Sequence, residues 1–309
     1  MPCPRIRLPL RFLAALSAAA PAVAADNGGT LANAADRVRH QMLRMTDFFD
    51  TMLPGVLEER NITLHFRPKF GDLRDEEYMR FPLEVRYGLT NRTELQAGLV
   101  PFVPSPFNSG RDHRWGPGEV KLGARHDLRH AFTFFRETTI GFEARVPLGK
   151  PPTELNDHYT HVKPFVSLAR ELTRWRSTTL YANVSYDRSV KLTQREPAPA
   201  DVVRRHVFAV APGILYKPGE LGYFTEYRFR HISEPGESRL AHEVLVGSIW
   251  DVPIDRTERW GLPGKWQLEL AVRAEHEEGR GTDPGVSARV NWRTTLREVL
   301  NHTRVSRRR

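Results

Sequence analysis

Residues 80–102, "RFPLEVRYGLTNRTELQAGLVPF", alternate polar and apolar side chains almost without a break. Arg80, Glu84 and Arg86 share one face, and Phe81, Leu83, Val85 and Tyr87 the other. After "GLTN" the alternation resumes, with Glu94 and Gln96 set against Leu95, Ala97 and Leu99. Successive side chains of a strand point to opposite faces, so period two bounded by a turn signal predicts a β-hairpin. Its apolar face must meet either a protein core or lipid.

The same period recurs along the chain. Val120, Leu122 and Ala124 oppose Glu119, Lys121 and Arg125, and Ile140, Phe142, Ala144 and Val146 oppose Thr139, Glu143 and Arg145. Tyr223, Tyr227 and Phe229 oppose Glu226, Arg228 and Arg230. Trp266, Leu268, Leu270 and Val272 oppose Gln267, Glu269 and Arg273, and Val286, Val290 and Trp292 oppose Ser287, Arg289 and Asn291. Twelve strands are predicted, at 61–70, 77–88, 92–103, 117–128, 134–147, 159–172, 177–189, 204–216, 220–232, 240–251, 265–276 and 284–293. Those at 159–172 and 204–216 alternate poorly.

These strands run to about 10–13 residues, against five or six in an ordinary globular sheet and about 9–11 for a tilted membrane strand. Lipid cannot satisfy an open sheet edge, so a lipid-facing sheet must close. Tyr87, Phe102, Trp175, Tyr216, Trp250, Trp266 and Trp292 fall near strand ends, where a membrane barrel carries its aromatic girdles. Connections such as "GLTN" and "KPGE" alternate with the longer "PSPFNSGRDHRWGPG", "LGKPPTELNDH" and "KLTQREPAPADVVRR", and "SEPGES" and "EEGRGTDP" join the long set. Short periplasmic turns and long outer loops are the pattern of outer-membrane barrels; "VPIDRTERWGLPG", 252–264, is a long connection on the short side. The expected fold is all-β: a closed antiparallel transmembrane barrel of about twelve strands over 61–293, with a short N-terminal helix. An exported soluble barrel or sandwich, apolar face inward, is the competing reading.

The mean hydropathy is −0.49 and charged residues are 27%. Neither value opposes a barrel, because every second residue of a membrane strand is polar. Arg5, Arg7 and Arg11 followed by "FLAALSAAAPAVAA" predict a secretory signal over 1–25, cleaved near Ala24 or Ala25. The single cysteine, Cys3, lies inside it, which removes disulfides and cysteine metal sites from the exported chain. The net charge of +9 is dispersed among acidic residues, which argues against a nucleic-acid partner. The exception is the basic tail over 294–309, ending "RVSRRR". Val38, Met42, Met45, Phe49 and Met52 recur at three or four residues and predict a periplasmic helix within 26–60, ended by Pro54 and Gly55.

In this reading Arg80, Glu84, Arg86, Glu94, Glu119, Lys121, Arg125, Glu143, Arg145, Glu226, Arg228, Glu269, Arg273 and Arg289 line the lumen. They form either a structural ladder of opposite charges or a selective passage. Phe81, Tyr87, Phe102, Trp250, Trp266 and Trp292 face lipid. A barrel of about eight strands is filled by side chains and one of sixteen is open, so twelve is intermediate.

"YGLTNRTELQAGLVPF" (87–102), "GPGEVKLGARHDL" (116–128) and "GFEARVPLGKPPT" (141–153) resemble consecutive hairpins of the outer-membrane family named for the meta-pathway of phenol degradation. That family pairs a "YGLTD…E" turn with a "G-x-G-D" strand and a "P-x-G" loop entry. Here Asn91 and Glu119 replace its acidic residues. The resemblance spans about 60–250. It implies a barrel channel for small, often hydrophobic or aromatic solutes, with no cofactor and no catalytic residues to carry over. The expected partners are outer-membrane lipids, the barrel-assembly machinery and the solute.

One motif could carry chemistry. In "RFRHISEPGES", 228–238, His231 and Ser233 share the parity of Tyr227 and Phe229 before a loop, as the base and nucleophile of an outer-membrane lipid hydrolase would. Such enzymes have Asn after the serine; this chain has Glu234, with Glu237 and Glu243 as other orienting groups. Asp112, His113, Asp157, His158 and His161 could bind a metal only if loops gathered them, and no metal is expected.

Overall fold

The structure is a computed structural model that describes residues 47–48, 51–70, 78–104, 115–128, 131–148, 159–175, 177–190, 205–259, 264–279 and 281–295. The predicted signal, residues 26–46 and the tail beyond Thr295 lie outside the described residues.

Twelve antiparallel staves close into a barrel. The first is β3 (Ile62–Phe66) continued by β4 (Lys69–Phe70), and the second is β5 (Tyr78–Arg80) continued by β6 (Leu83–Thr90). Then follow β7 (Thr93–Pro104), β8 (Gly116–Asp127), β9 (Glu137–Pro147), β10 (Thr160–Glu171) and β11 (Thr178–Val190). The last five are β12 (His206–Tyr216), β13 (Leu221–Glu234), β14 (Glu237–Val252), β15 (Lys265–Glu277) and β16 (Gly281–Thr295). Each stave pairs with the next in sequence, and β16 closes the ring on β3 and β4 (Trp292 opposite Phe66, Ala288 opposite Phe70). The twelve predicted strands correspond one to one with these staves.

The turn end holds Asn91–Arg92, the connections 172–177 and 217–220, and the helix α1 (Ile254–Arg259), which occupies the long 252–264 connection. At the opposite, loop end, two connections are tighter than the sequence suggests. Glu234 faces Glu237 across a two-residue turn with Gly236 at φ 87°, and Glu277 faces Gly281. "SEPGES" and "EEGRGTDP" are therefore mostly strand, because their alternation continues above the apolar zone.

The two faces are inverted relative to a soluble barrel. Leu83, Val85, Leu95, Leu122, Phe142, Val246, Leu270, Val272 and Val286 are all exposed on the outside. Arg86, Glu94, Arg125, Glu226 and Glu269 are buried inside. Phe102 departs from its predicted outward place. It shares the parity of Glu94 and Gln96, so it is buried, meeting Tyr78 edge-on with centroids 5.7 Å apart.

The N-terminal segment departs from the helix predicted to end near Met52. Asp47–Phe48 (β1) and Thr51–Met52 (β2) form a two-stranded ladder, and residues 53–58 continue without helix. From Thr51 the chain runs inside the barrel rather than beside it. Pro54 lacks the N–H a helix interior needs, and Gly55 sits at φ 129°, a conformation only glycine adopts freely. Met52, Leu53 and Leu57 fill lumenal space. Of the predicted helical stripe only Met52 is described; Val38, Met42, Met45 and Phe49 lie outside the described residues.

Candidate functional site: the barrel interior

The interior has two chemistries. One sector at the turn end is apolar: Leu53 of the inner segment packs with Ala169, Tyr181, Leu215, Phe224, Leu245, Ile249 and Ala271, drawn from β10 through β15. The weak alternation of β10 and β12 has its cause here. Their inner faces carry Phe165, Ala169, Ala211 and Leu215, buried against this filling.

The rest of the wall carries charge in pairs. Glu84 accepts from Arg67 Nη2 at 2.8 Å and from Arg86, and Arg86 Nη1 lies 3.6 Å from Glu94 Oε1. On β8–β11, Glu143 meets Lys121 at 3.7 Å and Arg145 at 3.3 Å; Arg145 also donates to Asp187, whose other oxygen meets His161 Nδ1 at 2.7 Å. On β13–β16, Arg228 bridges Glu226 (2.8 Å) and Glu243 (3.0 Å), and Arg230 pairs with Glu275. Arg273 reaches Glu275 and Asp283, and Arg239 holds Glu234 (2.6 Å) and Glu277 (2.7 Å). Arg125 lies 5.6 Å over the Phe165 ring, and Glu269 stands opposite Arg289 in register. Glu119 is buried opposite Pro147, and Arg80 stands opposite Phe102 and Lys69. A buried charge is tolerated only when paired or hydrogen-bonded. This interior meets that condition by placing opposite signs on neighbouring strands and at i, i+2.

From Thr51 to Leu57 the inner segment is bound by wall side chains, and only from Arg60 does it bond the wall backbone. The Met52 carbonyl accepts from Ser167 Oγ (2.6 Å) and Asn183 Nδ2 (3.3 Å), and those two side chains bond each other at 2.8 Å. Thr51 Oγ1 donates to Glu226 (2.7 Å) and accepts from Arg228 (3.1 Å). The Gly55 amide donates to Thr139 Oγ1 (2.9 Å), the Leu57 amide to Glu94 Oε2 (2.9 Å) and the Arg60 amide to the Gly88 carbonyl (2.7 Å). Gly88 has no room for a side chain, since a Cβ there would lie 2.0 Å from the Glu58 carbonyl oxygen. Thr51, Thr139, Ser167 and Asn183 were not candidates from sequence. For Thr139, Ser167 and Asn183 the only sequence signal is inward parity, and Thr51, on the inner segment, has none.

On the outside, Tyr87 is exposed, and Phe81 stacks on Phe66 at 6.3 Å. Trp266 and Trp292 lie side by side at 5.9 Å, and Arg256 of α1 sits 5.9 Å over the Trp250 ring. His231 and Ser233 also face outward, but among the described contacts no hydrogen bond joins them. Glu234 and Glu243 turn inward to Arg239 and Arg228, and Glu237 lies 3.8 Å from Arg239. The base, nucleophile and carboxylate of a hydrolase are not brought together. Of the loop histidines and aspartates weighed as metal ligands, only His161 is described; it is held by Asp187 inside the barrel.

The chain shares its fold with a solved outer-membrane barrel protein. The chain covers 100% of the COG4313 outer membrane channel from Pseudomonas putida F1, over 81% of its own length, with 10% identity and a TM-score of 0.53. It also resembles the NanC porin (11% identity, 74% of this chain, 97% of the porin, TM-score 0.44) and the KdgM porin (12%, 75%, 97%, 0.40). No protein-family profile matches the sequence, and no curated protein matches it.

Proposed function

We propose that the protein is a channel of the bacterial outer membrane for small solutes, obstructed in this conformation by residues 51–60. One observation carries the reading: twelve closed staves put apolar side chains outward and charge inward, the reverse of a soluble barrel. Closure leaves no backbone edge to desolvate, as lipid requires. In this orientation the turn end is periplasmic, and the chain reaches the membrane through its N-terminal signal and the barrel-assembly machinery.

The solute class follows from the lumen. A solute leaving the charge-paired loop end meets Phe165, Tyr181 and Phe224 at the turn end. A small molecule with an apolar or aromatic body fits that path, and the resemblance to the family of the phenol meta-pathway points the same way. The inner segment must shift for it to pass. Its anchors from Thr51 to Leu57 are individual side-chain hydrogen bonds of about 1 kcal/mol each when neutral and about 1.5–3 kcal/mol when charged, so it can be released piecewise. Planar-bilayer conductance and liposome swelling with the full-length protein test the reading. Heat-modifiable gel mobility establishes insertion first. An inserted barrel that passes neither ions nor aromatic solutes, even with Ser167 and Asn183 replaced, overturns it.

A further inference from the structure

The outer wall carries a feature that solute passage does not use. On β11–β15, five consecutive staves, each outward face bears one basic side chain near the loop end: Arg188, His206, His231, His242 and His276. The register joins them into one band. Arg188 faces His206, Phe208 faces His231, Phe229 faces His242, and His242 faces His276. Between this band and the turn end, the described outward residues of these staves include no carboxylate. Asp187, Glu226, Glu243, Glu269 and Glu275 all turn inward. Glu237, at the tip of the β13–β14 hairpin, stands above the band beside Arg239.

The band runs parallel to the aromatic girdle. Eight residues separate His231 from Tyr223 and His242 from Trp250; ten separate His206 from Tyr216 and His276 from Trp266. Both bands step together: His242 is opposite Phe229 rather than His231, and Trp250 is opposite Leu221 rather than Tyr223. At about 3.3 Å per residue and a tilt near 40°, these separations are ~20–25 Å along the barrel axis, against ~25 Å for a lipid-facing apolar band. The aromatic girdle and the basic band therefore mark the two edges of one hydrocarbon layer. Two of the imidazoles are also held in place by hydrogen bonds. His242 Nδ1 bonds the Tyr227 hydroxyl at 2.6 Å and His276 Nδ1 bonds Thr282 Oγ1 at 3.0 Å, so Nε2 is the nitrogen left to meet a ligand. The band is one-sided. The outward positions near the loop end of β9 and β10 are Ala144, Val146 and Val162, and the exposed Arg188 begins the basic sector.

We infer that this sector of the outer wall binds the phosphate groups of an anionic, phosphorylated lipid in the outer leaflet. One arginine and four imidazoles able to donate N–H at head-group height, with the nearest outward carboxylate, Glu278, two residues beyond His276 on the loop side of the band, match such a partner. The inference rests on the membrane reading above.

The test uses the full-length protein in phosphatidylcholine vesicles with or without bisphosphorylated lipid A. Lipid retained after gentle extraction is counted by native mass spectrometry. Wild type should retain roughly tenfold more phosphorylated lipid than the variant Arg188→Gln/His206→Gln/His231→Gln/His242→Gln/His276→Gln. His126→Gln/Arg170→Gln, which removes an outward histidine and an outward arginine of the turn end, should behave as wild type. If the five-site variant fails to insert, Arg188→Gln/His276→Gln should show a smaller loss. Equal retention by all inserted variants overturns the inference. So does thermal stabilisation of wild type in neutral vesicles by Zn2+ alone, with no response to lipid A, which would make the His242–His276 pair a metal clip. Inorganic phosphate alone should give no shift, and a shift that it fully reproduces overturns the lipid assignment. Heat-modifiable mobility separates the failures: no folded band with any lipid defeats the barrel reading, whereas a folded band with no lipid preference defeats only this inference.

Discussion

Val272 is the outward residue that best separates membrane from solvent. It is 60% exposed, on β15 between Trp266 of the girdle and His276 of the basic band. Six residues from one and four from the other, at about 3.3 Å per residue and a tilt near 40°, place it ~15 Å and ~10 Å from the two edges of the apolar zone, close to its middle. Val272→Arg in water would be within about 0.5 kcal/mol of neutral, as exposed surface changes are. In a bilayer an arginine near the midplane costs about 2–4 kcal/mol, a factor of roughly 30 to 1,000 in the folding equilibrium. His276→Arg, at the edge, should cost only about 0–1 kcal/mol. Urea titration of folding into short-chain lipid vesicles, read by tryptophan fluorescence and heat-modifiable mobility, measures both. A large drop in midpoint for Val272→Arg beside a small one for His276→Arg is expected. Equal midpoints for the two would refute the lipid-facing assignment of this wall.

Ser167→Ala/Asn183→Ala removes both donors to the buried Met52 carbonyl, a loss of about 1–3 kcal/mol on the obstructed side. Liposome swelling should rise several-fold with the heat-modifiable band unchanged, and an unchanged rate would show that the segment does not limit passage. Arg86→Gln leaves the buried Glu84 and Glu94 without their shared partner and should lower barrel stability by about 3–5 kcal/mol in the same urea assay. Arg60→Ala, which breaks an exposed pair with Glu59 at 3.5 Å, should change it by less than about 1 kcal/mol. Ser233→Ala should leave fatty-acid release at the same background as wild type, since neither Ser233 nor His231 is engaged by an orienting carboxylate; a selective loss would revive the hydrolase.

What the sequence disclosed and what it hid divide along one physical line. Period two depends only on which side of a strand a residue occupies, so strand number and facing are written locally, and even Phe102 was readable from its parity with Glu94. The lumenal filling is not local. The Met52 carbonyl is held by Ser167 and Asn183, 115 and 131 residues away, through a backbone atom no side-chain pattern reports. Its trace was nevertheless in the sequence, as an irregularity. β10 and β12 alternate poorly because Phe165, Ala169, Ala211 and Leu215 face something apolar inside, and Met52, Leu53 and Leu57 are the apolar residues of a segment too interrupted by Pro54 and Gly55 to be helix. Two weak signals, each ambiguous alone, are halves of one contact. In a barrel whose other staves alternate cleanly, an inner face that turns apolar implies that the lumen there is occupied, and the chain's own unassigned apolar segment is the first candidate to occupy it.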